Sequence, residues 1–308
     1  MTRTIKVGSR KSELAIIQSE IIINLLKRFF PQYKYEIVTV TTKGDQILNK
    51  TLSKIGGKGL FVKEIQELLL SEKIDMAVHS MKDMPQETSN GLMISSMPKR
   101  EDPRDVLIFN SQRSLKQLPE GGIIGTSSLR RQSQILKMRN DLKTCGLRGN
   151  VKTRLRKLYD QHMDGVILAA AGLNRLGITP ENFQVLNTKE FVPAVGQGAI
   201  GCEIRQTDNE LNEMLQTIND YNTFVSVMGE RSFLQTLQGG CHAPIGCFGK
   251  IKGDELHLHA MVGSSDGNVF LYDEIKGEPS SYLSLGEKLG EKLAAKGAKE
   301  ILKAEDGV

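Results

Sequence analysis

Two α/β domains followed by a smaller α+β domain are what the sequence predicts, and two observations carry that reading. Strand and helix signals alternate through the first two thirds of the 308 residues, and the last third changes to a strand hairpin closed by a helix. Thr4–Val7 is a short apolar run. A helix follows from a Ser12 cap through Leu14, Ile17, Ile21, Leu25 and Leu26, and Pro31 stops it. Tyr35–Thr42 reads as a strand rich in β-branched residues, Phe61–Leu70 as an amphipathic helix and Asp75–His79 as a third strand. A β-α-β-α-β order argues for a parallel sheet covered on both faces.

A second run of the same kind begins near residue 105. Its strands are Val106–Phe109, Ile123–Thr126, Thr144–Leu147 and Val166–Ala170, with helices at Leu129–Met138 and Val151–Tyr159. Pro98, Pro103, Gly121 and Gly122 punctuate the boundary. The last third opens with a helix over Asn222–Leu237. Strands Glu255–Val262 and Val269–Ile275 follow, joined by the turn Ser264–Asn268, and one helix from about Leu285 to Lys303 closes the chain.

Hydrophobic residues make up 39% and charged residues 25%, which excludes a disordered, collagen-like or coiled-coil chain. Lys and Arg number 41 against 36 Asp and Glu, a formal charge of +5 that says little about partners. No apolar run approaches the ~18–20 residues of a membrane helix, and the first residues lack a signal-peptide core, so a cytoplasmic protein is expected. Cysteines stand at 145, 202, 241 and 247 without a C-x-x-C pair or zinc-finger histidines, so no metal is expected. In a reducing compartment each is by default a free thiol.

Ten of the fifteen arginines fall between Arg100 and Arg175. The planar guanidinium fork suits carboxylates and phosphates, so the concentration suggests a polyanionic ligand, although Arg154, Arg156 and Lys157 also fit a solvated helix face. Thr126-Ser127-Ser128-Leu129-Arg130-Arg131 ends a strand and opens a helix, where free N–H groups meet hydroxyls and two arginines. Arg148-Gly149-Asn150 repeats the arrangement. Gly8-Ser9-Arg10-Lys11-Ser12 and Lys54-Ile55-Gly56-Gly57-Lys58-Gly59 are counterparts in the first lobe. The latter is not a P-loop, which disfavours ATP. With no Trp and 5% aromatics, stacking platforms for nucleic acid are scarce.

Two positions stand out for chemistry. Asp83 follows the third strand, beside Lys82 and ahead of Pro85. There it is either a turn-forming residue or a carboxylate placed to stabilise developing positive charge. His79 is open to a structural or a functional reading. Cys241 sits in Gly239-Gly240-Cys241-His242, a loop that can project a nucleophilic thiol, whereas Cys247 enters a strand and looks structural.

Taken in order, GSRKSELA, TTKGD…GGKGLFVKE, DMAVHSMKDMP, KREDPRD, GTSSLRRQ, RGNVKTRL, AAAGLNRLG, VPAVGQGAIG and GGCHAPIG resemble the motifs of the porphobilinogen deaminase (hydroxymethylbilane synthase) family over nearly the whole chain. The resemblance implies three domains. Residues 1–99 and 195–218 would form domain 1, 100–194 the Arg-rich domain 2 and 219–308 a smaller α+β domain 3. Domains 1 and 2 would be periplasmic-binding-protein-like lobes with mixed, mainly parallel sheets.

It also implies a transferase of tetrapyrrole biosynthesis, monomeric, with porphobilinogen as its partner and neither nucleic acid nor membrane. Porphobilinogen would lose ammonia to give an azafulvene-type cation, and four additions would precede hydrolytic release of 1-hydroxymethylbilane. Cys241 would hold a dipyrromethane cofactor through a thioether, and Asp83 would be the catalytic carboxylate. By motif position, the cofactor would meet Lys82, Ser12, Thr126, Ser127, Ser128, Arg130, Arg131 and Arg154. Substrate would meet Arg10, Gln18, Lys54, Lys58, Arg148, Arg175 and Gln197. Arg131→Leu is expected to spare the fold, and the glycine-rich stretch 43–59 to form a lid. The alternative is a non-catalytic two-lobe anion-binding protein, for which a GGC loop has no use.

Overall fold

Ser12 Oγ accepts the N–H of Ala15 at 3.3 Å and starts the helix Glu13–Phe29, as its place in the sequence predicts. The computed structural model describes residues 3–41, 62–238 and 243–306. The chain divides into two units, Met1–Glu101 with Ala199–Phe224, and Asp102–Gly198 with Val225–Val308.

The first unit is a five-stranded sheet ordered Lys34–Val40, Thr4–Arg10, Met76–Ser80, Ile200–Arg205, Leu92–Ser96. Ile200–Arg205 runs against both its neighbours, so four strands point one way and one is reversed. The two-faced cover expected from the β-α-β-α-β order is present. Ile22 and Leu26 of the first helix bury against Val7, Met76, Val78 and Ile204, while Ile65 and Leu69 of helix Lys63–Leu70 bury with Ile74, Ala77 and Leu92. Strands Leu92–Ser96 and Ile200–Arg205 went unread in the sequence. The latter pairs with residues about 120 positions earlier, and such pairing leaves no local signal.

The second unit holds two sheets. One is ordered Lys143–Cys145, Ile123–Gly125, Gly165–Ala169, Asp105–Phe109, Phe183–Val185, again with one strand, Asp105–Phe109, running against the rest. Helices Leu129–Met138 and Val151–Asp160 lie at the expected places. The other is the antiparallel sheet Ile245–Lys252, Glu255–Gly263, Phe270–Gly277. The expected hairpin turn closes it, with Ser264 N donating to Val269 O at 2.9 Å.

One expectation is corrected here. The single closing helix is two, Tyr282–Ala295 and Ala298–Asp306. Gly297 between them has φ +97°, a conformation that side-chain-bearing residues rarely adopt and that ends the first helix. Buried Leu289, Leu293, Ala298 and Leu302 then seat both helices on the antiparallel sheet. No described helix is long and apolar enough to cross a membrane.

Candidate functional site

Asp83 closes a short 3-10 turn, Met81–Asp83, that begins where strand Met76–Ser80 ends. Met81 and Met84 are buried on either side and Asp83 is exposed between them. The turn therefore turns its carboxylate outward while its apolar neighbours anchor it. Met81 N donates to Ala199 O at 3.0 Å, and Met84 N returns to Met81 O at 3.3 Å.

A cavity opens beside Asp83, lined also by Arg10, Ser12, Gln18, His79 and Ser80, with Leu14, Ala15, Val62 and Val78 as its apolar wall. Arg10 is the last residue of its strand and Ser12 the cap of the next helix, so strand ends and a helix start converge there. Gln18 is 3% exposed and donates from Nε2 to Ser80 Oγ at 2.8 Å. Four residues named from the sequence, Arg10, Ser12, Gln18 and Asp83, thus meet in one place. Lys82 is half-buried in the same turn but does not line the cavity. Lys54, Lys58, Cys241 and the stretch 43–59 lie outside the described residues.

His79 is buried, with Nε2 3.0 Å from Glu203 Oε2, so the structural reading describes its contact while its ring also reaches the cavity. Cys247 is buried on its strand and in no disulfide, as expected. Burial pushes the Cys202 thiol up to about 12, which leaves it inert.

In the second unit Arg130, Arg131 and Gln197 converge on Asp105, which is 0% exposed. Arg131 donates from Nε and Nη2 to Asp105 Oδ1 at 3.0 and 2.7 Å and from Nη1 to Ile167 O at 2.8 Å. Arg130 Nη1 lies 2.8 Å from Asp105 Oδ2 and donates to Val192 O at 2.7 Å. Gln197 Nε2 donates to Pro103 O and Asp105 Oδ1 at 2.7 and 3.1 Å.

Burial drives the Asp105 carboxyl upward, and the two guanidiniums outweigh it, holding it at about 2. Arginines are seldom this deeply buried. Because Arg131 is 7% exposed and committed to Asp105, the expectation that Arg131→Leu spares the fold is corrected: the change would strip a partner from a buried carboxylate. Asp105 itself had no role in the sequence reading. In the sequence it is only the last residue of KREDPRD and a charge opening the apolar run Val106–Phe109.

The hydroxyl loop is tied to the arginine loop beside it. Ser127 Oγ accepts Leu147 N at 2.8 Å and donates to Leu147 O at 3.0 Å, immediately before Arg148. Thr126 Oγ1 accepts Ser128 N at 3.2 Å, and Ser128 heads helix Leu129–Met138 with no side-chain cap among the described residues. First-turn N–H groups there suit an anion. Arg148 and Arg154 are half-buried, and Arg154 Nε donates to Gly149 O at 2.8 Å. Arg175 Nη2 donates to Gly198 O at 2.7 Å.

The residues fit an anionic pyrrole group. In the second unit two buried guanidiniums face one carboxylate, an excess of one positive charge. Arg130 Nε is buried without an acceptor among the described residues. In the first unit the cavity offers a guanidinium and hydroxyls against an apolar wall. Among the described residues no group of His, Cys, Asp and Glu gathers to hold a metal ion.

Residues 5–213 match the family model for the dipyromethane cofactor binding domain of porphobilinogen deaminase, and residues 224–295 match the model for its C-terminal domain. The porphobilinogen deaminase of Alkaliphilus metalliredigens is 57% identical over 300 residues, covering 97% of this chain and 95% of that one. That of Oceanobacillus iheyensis is 48% identical over 302 residues, covering 97% of each. Among solved structures, the periplasmic aliphatic sulphonate binding protein of Escherichia coli is similar at a TM-score of 0.42 and 13% identity, covering 77% of this chain and 71% of that one.

Proposed function

The chain belongs to the porphobilinogen deaminase family, and we propose that it condenses four porphobilinogen molecules with loss of four ammonia molecules and that one water then releases the chain as 1-hydroxymethylbilane. In this reading it is a cytoplasmic, monomeric transferase with dipyrromethane attached at Cys241. The observation that carries the chemistry is the cavity in which Asp83 and Arg10 stand together at strand ends.

Ammonia leaving the aminomethyl group puts positive charge on the substrate carbon. Among the described residues Asp83 is the one carboxylate lining the cavity, so it stabilises that charge and takes or returns the proton that moves with it. Arg10 neutralises a substrate carboxylate, while the Gln18–Ser80 pair orients the ring by hydrogen bonds; Ser12, in the same cavity, is assigned to the cofactor. Dipyrromethane, when bound, supplies the pyrrole carbon from which the product is extended. Arg130 and Arg131 provide the excess charge that would hold its carboxylates, and by motif position Thr126, Ser127, Ser128, Arg154 and Lys82 are assigned to the same group. Arg148, Arg175, Gln197, Lys54 and Lys58 are assigned to the lengthening substrate chain.

Three domains, 1–99 with 195–218, 100–194 and 219–308, are part of the proposal. Three separate sheets, each over its own apolar cluster, support the division. The test is turnover: porphobilinogen should be consumed with one ammonia released per molecule, and Asp83→Ala should abolish most of it while remaining folded. Failure of the unaltered chain to release ammonia would sink the reading.

A further inference from the structure

Glu203 is a charged side chain with 0% exposure on the fourth strand of the first unit's five-stranded sheet. It stands opposite Ala77 in register, on the strand that separates Met76–Ser80 from Leu92–Ser96. A carboxylate there is costly unless both oxygens are used, and both are. Oε1 accepts Gln66 Nε2 at 2.7 Å, and Oε2 lies 3.0 Å from His79 Nε2. Gln66 Oε1 in turn accepts Ser89 Oγ at 2.8 Å.

These contacts lead to one place. His79 precedes the turn that carries Asp83 and lines the same cavity. Ser89 lies on the connection after Asp83. Gln66 belongs to the helix whose cap, Val62, also lines the cavity. Chain on both sides of Asp83 is therefore bound, through intermediaries, to a carboxylate that does not itself line the cavity.

The same strand and the residue just before it dock the turn at two further points. Ala199 O accepts Met81 N, and Gly201 leaves the space that Met81 Sδ fills, where a Cβ would overlap it. The ladder to Leu92–Ser96 also slips between Cys202, opposite Ser96, and Glu203, opposite Ile94. Irregularities of this kind re-aim a side chain.

We propose that Glu203 is a positioning residue: through His79, Gln66 and Ser89 it holds Asp83 at the angle the reaction requires. The inference rests on the reading of Asp83 as the reacting carboxylate. Its test is a double-mutant cycle on the full chain, with porphobilinogen turnover measured for Glu203→Leu in the native and in the Asp83→Asn background.

Misplacing a catalytic group by about an ångström costs up to ~10²-fold. Glu203→Leu should therefore lower kcat by about tenfold or more with KM nearly unchanged. In Asp83→Asn, where there is no carboxylate left to position, the same change should matter less than about twofold. Equal losses in both backgrounds, or a normal kcat in the single variant, would overturn the proposal. If Glu203→Leu does not fold, Glu203→Gln takes its place in the same cycle under the same criteria. Absence of turnover in the unaltered chain would refute the functional reading itself, and this inference with it, whereas equal losses in an active chain refute only the positioning role.

Discussion

Replacing Asp105 by Asn keeps the size of the side chain and removes the one carboxylate that Arg130 and Arg131 share among the described residues. The structure sets the magnitude. Arg130 and Arg131 are 3% and 7% exposed, so neither guanidinium can turn to water when its counter-ion is lost. Two N–H groups of Arg131 and one of Gln197 lose a charged acceptor, and Arg130 Nη1 loses the oxygen 2.8 Å away. Breaking a buried pair from one side costs about 3–5 kcal/mol. At roughly 2–4 °C per kcal/mol for a domain of this size, the melting temperature should fall by ~6–20 °C.

Acid provides an independent check. The Asp105 carboxyl sits at about 2 in the folded chain against an ordinary 3.8. Its contribution is complete above pH ~4 and disappears as pH falls through 2. Calorimetry or urea unfolding from pH 7 to pH 2 should show the native chain and Asp105→Asn far apart at neutral pH and converging in acid. A loss below ~1 kcal/mol at pH 7, or a gap that does not narrow in acid, would refute the account of this pair.

Four further outcomes are expected. Asp83→Ala should reduce turnover by about 10²–10³-fold with an unchanged unfolding curve, because the side chain is exposed and stabilises charge rather than fold; near-normal turnover would remove it from the mechanism. Intact-mass measurement of the denatured active protein should show two linked pyrrole units on Cys241, and an unmodified thiol there would end the cofactor assignment. Arg131→Leu should lower stability as well as cofactor retention, since Asp105 keeps Arg130 as its one cationic partner among the described residues; normal stability by urea unfolding would contradict the buried pairing. Gly297→Ala should cost about 1–2 kcal/mol for a side chain held at φ +97°, read from the urea midpoint, and no change would mean the helix junction relaxes freely.

Local signals named much of this molecule in advance. The Ser12 cap, the amphipathic helix at Leu129–Met138 and the Ser264–Asn268 hairpin are written in neighbouring residues, and they form as read. So are the strand-end loops that supply Arg10, Ser12 and Asp83, because a strand ending in small or charged residues before a helix is a short-range pattern.

What the chain order conceals is pairing across long separations. Nothing near Ile200–Arg205 announces that it lies between Met76–Ser80 and Leu92–Ser96, nor that Asp105 will be sealed beneath two arginines from 25 and 26 residues on. Composition and motif decided which chemistry the chain can perform. Only the fold decided which charges are withdrawn from water, because burial depends on what arrives from elsewhere in the sequence, and a carboxylate such as Glu203 or Asp105 becomes a fixed support only once its partners have closed over it.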